Sequence, residues 1–262
     1  MSDLQSEYDP RIHIRGAGEG IVLVPGMDGT GELFYRRTPL LEKSYTVATY
    51  ALRDDAASIA VLAADLKRVI EQVAPVERRA VIIGESFGGA VSLTTALAYP
   101  EYVSALVILN SFPHFAPQFR LRMALAGLRM IPWGAMGLVR RLTAFRLHSR
   151  HTHRTEMKRF LTLTARCTRA GYANRLRLLQ SYDVRKRLHE IRCHTLFLAA
   201  DQDHLVPSVA QARYMAERVP LANVRVLSGH GHICLIAPDL NLDKILSEWH
   251  AAVGTGASPT QF

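Results

Sequence analysis

The chain has 262 residues, of which 48% are hydrophobic and 21% charged, with a formal net charge of +9. That length suits one α/β domain or a domain with an insertion. No apolar run approaches the roughly 18 residues of a membrane-spanning helix, and the acidic opening MSDLQSEYDPRIHI has no apolar core of a signal peptide. Cys167, Cys193 and Cys234 are scattered, odd in number and without metal-type spacing. This pattern argues against a disulfide framework and leads us to expect a reducing, cytoplasmic setting.

In chain order, Arg11–Arg15 reads as a short strand and Ile21–Val24 as a buried one that stops at Pro25-Gly26. Tyr45–Tyr50 alternates as a strand does. Ser58–Val73 repeats apolar residues at helical spacing behind Ser58, a suitable N-cap. Ala80–Ile83 is another buried strand, followed by a helix over Ser86–Ala98 and a strand over Ala105–Leu109. There the alternation stops. From about Pro113 to Val184 only helical stretches occur: Phe119–Met130, Trp133–Leu147, Thr155–Arg166 and Ala173–Leu179. It resumes with a strand at Thr195–Ala199, a helix at Val209–Arg218 and a strand at Val224–Leu227. The closing helix is expected over Pro238–Ala252, with Pro238 in its first turn. The small, polar tail GTGASPTQF is expected to fray. This order predicts an α/β fold with a mostly parallel, doubly wound sheet. Residues 1–112 and 185–254 form the core, 113–184 an inserted all-helical cap and 255–262 a flexible tail. Such an insertion roofs the C-terminal strand edge, where α/β proteins bind ligands.

The run "AVIIGESFGGAVSLTTALA" packs Gly84, Ser86, Gly88 and Gly89 into a strand-to-helix join. In a G-x-S-x-G turn the serine sits on strained backbone with its hydroxyl exposed above the sheet. A side chain at Gly84 or Gly88 would strike the neighbouring elements, which glycine avoids. By itself the motif is a weak signal, because a glycine-rich βα turn matches it too; its position between an apolar strand and an apolar helix strengthens it. A serine hydroxyl needs a base, and the base an orienting acid. Downstream, "LAADQDHLVP" offers Asp201 or Asp203, and "SGHGHICLIAPD" offers His230 or His232.

With these anchors and "VLVPGMDGTG", the chain resembles the α/β-hydrolase superfamily, in particular its small carboxylesterase, lipase-like and acyl-carrier-protein methyl-ester hydrolase branch. The resemblance spans nearly everything outside the insertion. It implies Asp203, four residues before Pro207, as the acid, and His232, between Gly231 and an apolar run, as the base. Asp201 is expected to end the strand or to act as a turn residue. The resemblance also implies an oxyanion hole built from the backbone N–H of Met27 and of Phe87, the residue after the nucleophile. Pro25-Gly26 replaces the family's commoner His-Gly pair, and Ala200 stands where glycine is frequent. The expected activity is carboxylic ester hydrolysis through a Ser86-His232-Asp203 triad and an acyl-enzyme, with no metal or cofactor. An acyltransferase with the same triad, or a silent relative that binds an anionic partner, are the alternatives.

Between Phe115 and Glu190 there are seventeen basic residues and three acidic ones, so this stretch, the insertion and the turn after it, carries +14 and the remainder −5. Asymmetry of this size points to an anionic partner, an acidic acyl carrier protein or an anionic lipid surface. Nucleic acid is disfavoured, since no recognition module accompanies the charge. The stretch "FRLRMALAGLRMIPWGAMGLVRRLTAF" interleaves apolar residues with arginine, as a membrane-surface segment does, although its apolar side can equally roof the acyl pocket. His148, His151 and His153 read as a solvated loop rather than as metal ligands.

Overall fold

The structure, a computed structural model, describes residues 12–115, 118–130 and 132–254. The tail 255–262 and most of the acidic opening lie outside these residues.

Seven strands form one sheet in the order β1-β3-β2-β4-β5-β6-β7. They are β1 (Ile12–Arg15), β2 (Glu19–Val24), β3 (Tyr45–Tyr50), β4 (Ala80–Glu85), β5 (Val103–Leu109), β6 (His194–Ala200) and β7 (Ala222–Leu227). Only the β1–β3 pair is antiparallel. The central strands are apolar on both faces, as a sheet covered on both sides requires. Val22, Val24, Ile82, Leu106 and Phe197 point to one layer, and Ile21, Leu23, Ile83, Val107 and Leu198 to the other. The first layer holds α2 (Ile59–Val73), α3 (Phe87–Ala98) and α8 (Ser208–Ala216); the second holds the single turn α1 (Thr38–Leu41) and α9 (Leu242–Gly254). Ser58 caps α2 as its sequence position suggests, its hydroxyl accepting from the Val61 N–H at 3.3 Å.

Between β5 and β6 the chain runs through α4 (Gln118–Met130), α5 (Met136–Leu147), α6 (Arg154–Thr164) and α7 (Arg169–Ser181). These helices lie over the carboxyl end of the sheet and contribute Leu121, Met136, Leu176 and Leu179 to the first layer's core. The stretch expected as one helix from Trp133 begins with a 3-10 turn, Trp133–Ala135, before α5.

Two further elements depart from expectation, and the first is α7, which begins at Arg169 and not at Ala173. The last helix starts at Leu242, not at Pro238. Within residues 237–240 the carbonyls of Ala237 and Leu240 accept from a side chain and not from a helical N–H. Buried Arg37 donates to Ala237 O at 2.6 Å and to Leu240 O, and its Nε donates to Leu235 O at 3.0 Å. An arginine with three long-range backbone acceptors has no signature in local sequence.

Candidate active site

Strand β4 ends at Glu85 and α3 begins at Phe87, so Ser86 alone makes the turn, with φ 53° and ψ −116°. That strained conformation is held from both sides. The Ser86 N–H donates to Leu109 O at 2.9 Å, and its carbonyl accepts from Ser111 Oγ at 2.7 Å. A Cβ at Gly84 would strike Ser92 Oγ and the Gly88 carbonyl, one at Gly88 the carbonyls of Val24 and Pro25, and one at Gly89 the Ser111 side chain. All three glycines are required by close approach.

His232 Nε2 lies 3.0 Å from Ser86 Oγ, and its Nδ1 lies 2.6 Å from Asp203 Oδ2. Asp203 is held by its own turn: Oδ1 accepts from the N–H groups of Leu205 (2.8 Å) and Val206 (3.0 Å), and Oδ2 from the Ser208 hydroxyl (2.5 Å). Burial opposes the carboxylate, but the His232 hydrogen bond and charge, followed by the other donors, hold its pKa below the ordinary value. Burial likewise opposes a charged His232; Asp203, and then Glu85, outweigh this and raise it.

The duplicated candidates sit elsewhere. Asp201 closes a turn, accepting from the Gly229 N–H at 2.8 Å and the Ser228 hydroxyl at 3.2 Å. His230 is buried against the insertion, with Nδ1 3.0 Å from Ser149 Oγ, and burial lowers its pKa. Each glycine of the Gly-His repeat has its own reason. Gly229 has φ 76°, and a Cβ at Gly231 would meet the carbonyls of Leu147 and His148. The Ile233 N–H in turn donates to Leu147 O at 2.9 Å, so α5 ends directly against the histidine loop.

Phe87 opens α3, where the first backbone N–H groups have no helical acceptor, and Met27 follows β2 in the loop across from it. A turn bond from the Gly29 N–H to Gly26 O (3.1 Å) shapes this loop. A residue of the insertion clamps it. Arg175 on α7 is fully buried; its Nε donates to Met27 O at 2.9 Å, and its other nitrogens to Asp28 O (3.1 Å), Asp54 Oδ1 (3.0 Å) and Cys167 Sγ (3.3 Å). Arg175 is one of the seventeen basic residues between Phe115 and Glu190, and its burial removes it from the outward charge. Other members of the basic set are also engaged: Arg166 pairs with Glu32 at 2.6 Å, and Arg159 lies over the Tyr35 ring at 3.8 Å.

Glu85 was missed as well. Its Oε1 lies 3.9 Å from His232 Nε2, and Gly26 lacks a Cβ where that carboxylate packs. Burial raises the carboxyl to about 7, with Asp28 and Asp203 adding to it and His232 opposing. Asn110 was a third omission. At φ 48° it ends β5, accepts from the Ala200 N–H at 2.8 Å and donates to His232 O at 3.0 Å, joining two strand ends to the histidine loop. The only sequence hint was a polar residue closing an apolar strand.

Ser86 and His232 open onto a cavity of about 310 Å³ whose walls are mostly apolar. Phe112 and Ile236 line it from the core, and Phe115, Leu121, Trp133, Met136 and Leu176 from the insertion. In the histidine-rich loop, His148 Nδ1 lies 2.6 Å from Phe145 O and His151 Nδ1 3.9 Å from Asp239, and no group of three or more potential metal ligands gathers among the described residues. Among those residues no helix is long and apolar enough to cross a membrane.

The sequence signature of the alpha/beta hydrolase family matches residues 21–241. RutD of Escherichia coli O44:H18, provisionally assigned as a carbamate hydrolase, is 26% identical over 239 residues, covering 86% of this chain and 87% of that protein. A thermophilic esterase from Thermogutta terrifontis superposes with a TM-score of 0.81 at 18% identity, covering 93% of each chain. The enol-lactonase from Burkholderia xenovorans LB400 does so with a TM-score of 0.77 at 16% identity, covering 95% of this chain and 96% of that one. At these identities the structural likeness is one of fold.

Proposed function

The chain belongs to the alpha/beta hydrolase family, and from that premise we propose that it cleaves carboxylic esters, with Ser86 as nucleophile, His232 as general base and Asp203 as orienting acid. The observation that carries this reading is the unbroken chain of contacts from Ser86 Oγ through His232 to Asp203 at the floor of an apolar cavity. His232 Nε2 takes the Ser86 proton as Oγ attacks the acyl carbonyl. The N–H groups of Met27 and Phe87 receive the developing oxyanion. His232 then returns the proton to the departing alkoxide, water attacks the acyl-enzyme by the same route, and the acid is released. Asp203 fixes the Nδ1–H tautomer and stabilises the imidazolium.

The substrate class follows from the lining: apolar walls suit an apolar acyl group, fixed by few polar atoms. A carbamate is the second reading, favoured by the name of the curated relative. Residues 113–184 act as the cap of this site, between core segments 1–112 and 185–254, and their basic surface meets an anionic partner, an acidic acyl carrier or an anionic lipid surface.

A chain-length series of p-nitrophenyl esters tests the activity. Turnover should be lost in Ser86→Ala while the protein stays folded, and a fluorophosphonate should label Ser86. Undiminished turnover in that variant, or labelling of another serine, sinks the reading. Product analysis with added alcohol separates hydrolysis from acyl transfer.

A further inference from the structure

Helices α4 and α5 each carry two apolar faces. One turns inward: Leu121, Met136, Ala144 and Leu147 are buried and line the cavity above Ser86. The other turns to solvent. On α4 it presents Phe119, Met123 and Met130, and on α5 Leu138, Leu142 and Phe145, each between 63% and 84% exposed. The α5 set follows i, i+4, i+7, and Phe119 and Met123 are one turn apart, so each set shares a helix face. Half of the twelve exposed large apolar side chains among the described residues stand on these two helices.

The charge around these faces is of one sign. Residues 116–155 contain eight arginines and no aspartate or glutamate. Arg122, Arg141 and Arg146 are exposed on the same two helices and form no ion pair among the described residues. Large apolar side chains aligned and exposed along one helix face mark an interaction site. A second copy of the chain would bring the same arginines against these, and like charges oppose that contact. An acidic carrier protein would satisfy the arginines and leave the Leu138–Leu142–Phe145 stripe without an apolar partner. An anionic lipid–water interface satisfies both, with acyl chains for the apolar stripes and phosphates for the guanidinium groups.

We infer that α4 and α5 dock the protein on an anionic lipid surface and draw water-insoluble esters from it into the cavity that the same helices roof. The second half of this rests on the esterase reading; the docking does not.

Flotation with vesicles of phosphatidylcholine plus phosphatidylglycerol, against phosphatidylcholine alone, tests it on the full chain. The wild type should float with the anionic vesicles only, and less so as salt rises. The variant Met123→Ser/Leu138→Ser/Leu142→Ser should partition at least about tenfold more weakly. Its turnover of a water-soluble acetate ester should stay within about twofold of wild type, because exposed positions away from the triad and cavity are changed. Failure of the wild type to float at low salt overturns the inference. So does undiminished flotation of the variant, or retention by an acidic acyl carrier protein in place of vesicles. Flotation needs no turnover, so a chain that floats but is inert toward esters would sink the esterase reading and leave the docking face standing.

Discussion

At the scale of single residues, the two aspartates and two histidines near the site differ in what they touch. His232 lies against Ser86 and Asp203 against His232, whereas Asp201 holds a turn and His230 the segment after α5. His232→Ala and Asp203→Asn should each lower kcat on the order of a thousandfold or more. His230→Ala and Asp201→Asn should instead cost about 1 kcal/mol of stability each, with kcat little changed. Measuring kcat beside Tm for all four separates the pairs, and the opposite ranking would reassign the site. Glu85 makes a pH prediction. Its carboxyl titrates near 7 in the folded chain and near 4.5 when unfolded. As pH rises through that window the unfolded state ionises first, so the native state loses about 3 kcal/mol that it holds at lower pH. Glu85→Gln should therefore gain Tm relative to wild type from about pH 4.5 to 7, and show no gain below it. Because the Glu85 charge also raises His232, the acid limb of kcat/KM should move to lower pH in the same variant. Parallel Tm–pH curves for the two proteins would refute this account.

At the scale of elements, α7 and the loop after β2 behave as one piece through Arg175. The guanidinium fixes the carbonyls of Met27 and Asp28, and thereby the orientation of the neighbouring Met27 N–H. Arg175→Ala should lower kcat by about tenfold to a hundredfold with KM for a short ester little changed, since misaimed donors weaken the transition state most. Rates per fluorophosphonate-titrated site, with added guanidinium ion as rescue, distinguish positioning from mere loss of folded protein; an unchanged kcat per site would leave Arg175 a structural tie only. Elements of this kind were the illegible part of the sequence. Every central strand could be read from its apolar run, and α2 from its period and cap, because those signals are local. Arg37, Arg175 and Asn110 act on backbone groups far along the chain, and a lone arginine reads as a surface charge until its acceptors are known. The closing helix was misplaced by four residues for that reason: Pro238 looked like a first turn, while Arg37 donates to the carbonyls of Ala237 and Leu240 and Asn241 Oδ1 meets the Lys244 N–H at 3.5 Å.

At the scale of the whole molecule, the +14 stretch from Phe115 to Glu190 and the −5 remainder are two surfaces that attract, and part of that charge is spent between them. Arg166 reaches Glu32 and Arg175 reaches Asp54, while Glu156 of α6 reaches back to Arg36 at 2.9 Å and to the Tyr35 hydroxyl. Sequence counting exposed the imbalance but could not divide it between internal ties and outward charge. The three anchor motifs were legible because the turns at Ser86 and Asp203 and the loop at His232 each need particular glycines, prolines or polar residues in a short span. The position of Gly231, with Leu147 and His148 pressed against the place of its missing side chain, carries one consequence beyond catalysis. The insertion is not a cassette. Substrate range in such a scaffold could in principle be altered by exchanging the helices above the sheet, yet here the graft would have to bring Glu32, Tyr35, Asp54 and the Gly-His repeat with it. The inheritable unit is the seam, and new specificity is reached more readily by residue-by-residue change inside the roof than by trading the roof itself.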